Sequence, residues 1–397
     1  MCLQETLLAA AFIRAIRSKP NSLMLQKNTA KAQRGIVMPL TAVALLTLIG
    51  FMGLALDVGY VYMVRNQLQN AADAAALAGA GHIFSSTAST PNFTVASAAA
   101  SNAIINLNNT AANAPLVTGT ITTGYWSLSG SPSGLHATPL GNQDFPAVEV
   151  DITKNGANGA VNAFFSQVLG ITSFNPMARA VAVITGPGQA NVFPMAISDC
   201  LFNNYWNAST NSPKLATSTS PLPNQTLPQT IGQPYVFEIE SAYHAVVCSS
   251  GQWTSYNLSP PSTATMKSMI DGTQTQNIAI GTSFNTILAP GSKTALYNAT
   301  AGCSSGGGSP SCAYVLVAVV SDSAIGSGNT TPIQALACIH IITAVGGSGK
   351  YIEAQMVPVG NPNCIVPGGS GFGNINYGAL QPPRLVNYQG NTYTPFD

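Results

Sequence analysis

The chain has 397 residues, enough for two or three domains and a sizeable core, with 46% apolar residues but only 7% charged ones. The formal net charge is +1, so no basic surface is available to neutralise a phosphate backbone, and nucleic-acid binding is excluded. So is a chain that stays unfolded for want of apolar residues. Ala, Gly, Ser, Thr, Asn and Pro take the place of charge, a surface suited to an envelope or secreted protein.

The few charges are unevenly placed. Residues 1–35 hold six of the 14 basic groups (Arg14, Arg17, Lys19, Lys27, Lys31 and Arg34) against one acid, Glu5. Between Asp57 and Thr153 the only basic residue is Arg65. From Ile36 to Leu56 the chain reads IVMPLTAVALLTLIGFMGLAL without a charge. At about 1.5 Å per residue, a helix over 36–56 covers the roughly 30 Å of a bilayer's hydrocarbon core. Pro39 falls in the first turn, where a missing N–H costs little. The basic flank predicts a cytoplasmic N-terminus and an external remainder. A cleaved signal peptide is the rival, because Gly53-Leu54-Ala55 offers small residues for signal peptidase, yet the apolar run is longer than such peptides use. The run Leu7–Ile13 is too short to span, and Met24 is an alternative start.

Cysteine usage agrees with an oxidising exterior. Apart from Cys2 there are six cysteines, Cys200, Cys248, Cys303, Cys312, Cys338 and Cys364, which permit three disulfides in 15 connectivities. Cys303 and Cys312 flank a flexible SSGGGSPS loop and are the pair expected to close. No spacing for a zinc site occurs.

Residues 57–81, DVGYVYMVRNQLQNAADAAALAGAG, lack helix breakers from Tyr60 to Ala78, so the membrane helix is expected to continue outward. Small residues recur at four-residue spacing (Ala71–Ala75, Ala72–Ala76, Ala74–Ala78 and Ala76–Ala80), giving faces that let helices approach closely. Gln69 and Asp73 lie one turn apart and can hydrogen-bond. Two readings of the Ala face stay open: packing on the chain's own globular part, or contact with a partner's helix.

These residues carry a family resemblance. Arg34-Gly35, the apolar span, Asp57-Val58-Gly59, and then Gln69-Asn70-Ala71-Ala72-Asp73-Ala74-Ala75-Ala76-Leu77-Ala78-Gly79 resemble the N-terminal region of TadG-like proteins of the Flp (tight adherence) pilus-assembly group. A weaker likeness continues in FFSQVLGITSFNPMARAVAVI, residues 164–184. The resemblance implies a bacterial inner-membrane anchor with a periplasmic domain serving pilus assembly or adhesion, with pilus-assembly or pilin-like partners met through the 57–82 helix, an oligomer being possible. It implies no catalytic residue and no cofactor. Two departures stand out. Related pseudopilins are cut after a Gly and carry Glu at the fifth mature position, which after Gly35 would be Leu40. Many TadG-like chains also carry a von Willebrand A domain with an Asp-x-Ser-x-Ser metal site, whereas Asp322-Ser323 is followed by Ala324, Ile325 and Gly326.

The rest of the chain predicts an α+β fold. Val95–Leu107 reads as a helix, Leu116–Leu128 as a strand, and Ala147–Thr153 as a half-buried strand by its alternation of Val148, Val150 and Ile152 with Glu149, Asp151 and Thr153. Val161, Phe164, Phe165, Val168 and Leu169 fit one apolar face of a helix, and Ala178–Thr185 reads as a strand. Residues 93–185 thus form a small α+β domain, pilin-like by analogy. Beyond Gly186-Pro187-Gly188, strands at Val192–Ile197, Tyr235–Glu240, Ala313–Ser321, Leu336–Val345 and Tyr351–Val359 suggest a β-sandwich-like domain over 191–397.

Little chemistry is announced. Asp271-Gly272-Thr273-Gln274-Thr275 places oxygens at alternate positions, as a hard cation needs, but turn residues suffice to explain it. Glu149/Asp151 and Glu238/Glu240 pair carboxylates on strand faces, ordinary for solvent-facing positions. His82, His136, His244 and His340 lie in unrelated contexts. Gly346-Gly347-Ser348-Gly349-Lys350 mimics a phosphate loop but lacks its first glycine and its Ser/Thr, and reads as a hairpin turn. The expected role is structural and non-enzymatic: a membrane-anchored assembly protein. A minor pilin-like subunit released after Gly35, or a tethered carbohydrate-binding or hydrolytic domain, are the alternatives.

Overall fold

In a computed structural model of the chain, the residues described are 37–84, 90–110, 118–131, 133–141, 143–156, 159–223, 225–241, 248, 250–284, 293–304, 311–325, 331–389 and 392–395. They fall into two compact units. One runs up to Val58 and takes in Phe164–Gly170; the other comprises Gly59–Ala163 and everything from Ile171 onward.

A single helix, Val37–Gly81, accounts for 45 residues, about 67 Å of rise. Val37 to Leu56 is almost wholly exposed and apolar, and the helix is long and apolar enough to cross a membrane. Past Gly59 its character changes to a stripe: Val64, Leu68, Ala72, Ala75, Ala76 and Ala80 are buried, the one-sided spacing of a helix lying on a core.

A second helix, Phe93–Thr110, starts where the Asn92 side chain accepts from the Val95 N–H at 3.1 Å, an ordinary N-cap. Its Ala96, Ala100 and Ile104 are buried. Beside it lies an antiparallel sheet in the order Leu135–His136, Thr118–Ser127, Asp144–Thr153, Met177–Val183, Arg384–Gln389 and Thr392–Pro395. The strand Asp144–Thr153 is covered on both faces rather than one: Val148, Val150 and Ile152 are fully buried, and so is Ala147.

Three expectations need correcting. The stretch Val161–Leu169 is not a helix. Val161–Asn162 and Ser173–Phe174 pair as a short hairpin, with a 3-10 turn at Ser166–Leu169 closed by Gly170 in the left-handed region, φ 82°. Secondly, the C-terminal strands close into a six-stranded barrel instead of two sandwiched sheets. Its order is 236–241, 250–253, 195–198, 314–320, 335–345 and 351–356, and the last pairs antiparallel with the first. Along Tyr314–Val320, Val317 and Val319 face one apolar cluster while Leu316, Ala318 and Val320 face another. Apolar side chains therefore pack on both faces of this strand, and that explains the unbroken apolar run. Thirdly, 93–185 and 191–397 are not separate domains. Arg384–Gln389 pairs with Met177–Val183, and one apolar cluster runs from Val64 through the sheet to Val386, taking in the barrel residues Phe237, Ile239 and Ile352.

Three disulfides fasten this part: Cys200–Cys248, Cys303–Cys312 and Cys338–Cys364. The 303–312 pair is the one anticipated from its flexible loop. Gly346–Lys350 joins the antiparallel strands Ala335–Val345 and Tyr351–Met356, as a hairpin turn should.

Candidate functional site

The singular polar feature of the long helix is Asp57. Buried, with 2% of its surface exposed, it follows directly on an uncharged apolar run and faces the Phe164–Gly170 turn. One carboxylate oxygen accepts from the Phe164 N–H at 3.0 Å. The other accepts from the Phe165 N–H at 3.0 Å, the Ser166 N–H at 2.6 Å and the Ser166 hydroxyl at 2.6 Å. These are the N–H groups that a short helical turn leaves without internal partners, and an ionised acceptor roughly doubles the strength of such bonds. Below this clasp, a Cβ added at Gly53 would come within 2.6 Å of the Phe165 ring, so glycine lets the turn lie flat on the helix.

The Ala-rich segment works differently. Ala72, Ala75, Ala76 and Ala80 have no exposed surface. Around Gly79 a Cβ would sit 3.0 Å from the Ala96 carbonyl oxygen, 3.0 Å from Val148 and 3.1 Å from the Ala100 Cβ. Two small-residue helix faces therefore meet each other and the sheet within one chain, and the expectation that the Ala71–Ala80 face receives a partner's helix is corrected. Leu77 is half-buried against the same core. Gln69 donates to Asp73 at 2.8 Å, as its spacing predicted, and also to the Arg179 carbonyl at 3.0 Å. Leu56, Gly59 and Asn70 are exposed; a Cβ at Gly59 would meet nothing within 4 Å. Gly35 and Ile36 lie outside the described residues.

Elsewhere the candidate groups are occupied structurally. Glu149 is buried, and Arg179 hydrogen-bonds to it and lies 3.4 Å from Asp151. Burial pushes the Glu149 carboxyl above its usual range, with Arg179 pulling the other way. Glu238 is buried too and accepts from the Thr226 hydroxyl at 2.6 Å, so Glu149 and Glu238 do not face solvent as the alternation suggested, while Asp151 and Glu240 are half-buried. Asp271 caps the helix Thr263–Ile270, its N–H donating to the Lys267 carbonyl at 2.8 Å. Asp322 opens a 3-10 turn whose first N–H donates to Asp199 at 2.9 Å. Among the described residues one cluster has metal-ligand types close together, Cys200, Cys248 and Asp322, but its two sulfurs are bonded to each other. His340 is stacked on Tyr314 with ring centroids 4.5 Å apart, one residue beyond the neighbour of the disulfide-bonded Cys338. His244 lies outside the described residues.

Two family models match this chain, and they match the region just described. Residues 35–82 fit the Flp pilus-assembly TadE/G-like family, and residues 78–182 fit the Tad-like Flp pilus-assembly family. Together the two matches cover residues 35–182 and support a TadG-like Tad protein. No curated protein and no solved structure matches the chain. The Tad region comprises the long helix, the second helix and the sheet up to Ala182, while the barrel strands 195–356 lie beyond it. Within that region sequence reasoning singled out Asp57 as a motif residue but not its partner. The signal was present in the phrase FFSQVLG, whose apolar spacing imitates a helix.

Proposed function

We propose that this chain is a non-enzymatic structural component of a Flp/Tad-type pilus system, anchored in the bacterial inner membrane by the segment 36–56. Its N-terminus faces the cytoplasm and its disulfide-bearing part lies in the periplasm, where it assists pilus assembly or anchoring, or adhesion at the surface. The observation that carries this reading is the division of one helix, Val37–Gly81, into an exposed apolar half and a half buried by its own domain, within a segment that fits the Tad family. Three disulfides suit an oxidising compartment, and the basic residues before the span favour an inside N-terminus. With the Ala face covered, partners would meet exposed positions of the helix such as Tyr62 and Met63.

The test is deletion of the gene, with shearing and quantification of surface filaments, and intact-mass measurement of the native chain in membrane and sheared fractions. Loss of filaments, restored by the full chain, with residues before Gly35 retained and the protein confined to the inner membrane, is the expected result. A chain beginning at Ile36 and recovered with filaments would make it a fibre subunit. Unchanged filaments with the chain still in the membrane would leave the tethered carbohydrate-binding or hydrolytic reading, and a soluble chain beginning near Leu56 would make the segment a signal peptide.

A further inference from the structure

We propose that residues Phe164–Gly170 form a second membrane-embedded element, a 3-10 wedge immersed in the outer leaflet beside the spanning helix. This deepens the reading of 36–56 as a membrane span and rests on it. The wedge does not stop at Asp57. Phe165, Ser166, Val168 and Leu169 line a groove of about 460 Å³ with Leu46, Thr47, Ile49, Gly50, Phe51 and Leu54. Leu46 is eleven residues before Asp57, about 16 Å down the helix, or half the hydrocarbon thickness. If 36–56 spans, the turn beside it is in lipid.

Its chemistry fits that medium. Phe164, Phe165, Val168 and Leu169 are all exposed, Val168 to 90%, an apolar cluster in four of six residues that water would penalise. The two hydroxyls of the groove are satisfied inwardly. Thr47 donates to the carbonyls of Val43 and Ala44, at 3.1 and 2.8 Å, and Ser166 donates to Asp57. Irregular backbone at membrane depth is tolerated only when its polar groups find partners inside the protein. The Asp57 carboxylate meets that condition for three successive N–H groups, and the turn closes itself with the Val168 N–H on the Phe165 carbonyl, 3.2 Å.

Depth measurement tests this on the full chain in vesicles of phosphatidylcholine and phosphatidylglycerol. A Cys2→Ser background leaves the six disulfide-bonded cysteines, and nitroxides are placed singly at Val168→Cys, at Leu48→Cys in the span and at Leu140→Cys on an exposed loop. Collision rates with oxygen and with a polar nickel chelate are compared. An oxygen-to-nickel ratio at 168 that rises well above that at 140 and approaches that at 48 supports immersion. A ratio at 168 like that at 140, with 48 still lipid-like, overturns the wedge and leaves the anchor standing. Low collision with both reagents at 168 also overturns it, since protein and not lipid then covers the turn. An aqueous ratio at 48 overturns the anchor reading itself.

Discussion

A carboxylate that gathers three backbone N–H groups and a hydroxyl is more than a polar end to an apolar helix. Replacing Asp57 with Ala removes the acceptor for Phe164, Phe165 and Ser166 together, so amide exchange at 164–166 is expected to accelerate on the order of tenfold or more. Protection unchanged from wild type in detergent-solubilised protein would contradict the clasp. His340 offers a pH-linked counterpart. Burial holds its ring below the ordinary 6.5, with a hydrogen bond involving Gln355 working the other way. The folded state therefore favours the neutral ring: its contribution to stability is complete above 6.5 and lost as pH falls through the depressed folded value. Tm should fall between about pH 7.5 and about pH 5, and less steeply in His340→Gln. Parallel profiles for the two proteins would show that another group carries the dependence.

At the scale of elements, the 57–81 helix is held by fit rather than by charge. A side chain at Gly79 has to displace Ala96, Ala100 or Val148, and overpacking of this kind costs about 1–3 kcal/mol. Gly79→Val is expected to lower Tm by roughly 5 °C, whereas Ala74→Leu, on the exposed side, should stay within about 0.5 kcal/mol of wild type. Thermal scans in which Ala74→Leu is the more damaging would reverse the assignment of faces. This helix was the most legible part of the sequence, because an uncharged run, a motif and a four-residue Ala spacing all bear on it. What the spacing could not say is whose surface the alanines meet. Small faces look alike toward a partner and toward Ala96 and Ala100 sixteen or more residues downstream. The stretch 161–169 misled for the opposite reason: its helical period is real, but Val161 and Asn162 pair as a strand with Phe174 and Ser173, and Asp57, more than a hundred residues away, accepts the N–H groups that open the short turn that follows.

For the whole molecule, the legible features were the individual strands and the Cys303–Cys312 pair, and the illegible one was their arrangement. Strands 236–241, 314–320, 335–345 and 351–356 lie where alternation and apolar runs put them. Closure into a barrel depends on pairings such as Val236 with Gln355, contacts too distant in sequence for local patterns to record. The same applies to Arg384 and Leu385, which lie against Val183 and Ala182, with Val386 buried in the shared core. A chain stopped after Pro383 should lose exchange protection over 177–183 while keeping it in the barrel strands 335–356. Equal loss in both would mean that the barrel and the sheet unfold as one.

That last pairing also orders events during synthesis. The strand Met177–Val183 is made first, and its partner follows roughly 200 residues later, an interval of about 10–40 s at ~5–20 residues per second. Through that time an apolar strand has a bare edge, a template for neighbouring nascent chains. The protein is therefore at its most vulnerable to misassembly while it is still being made, and a holding chaperone acting then would matter more to its yield than to the finished fold.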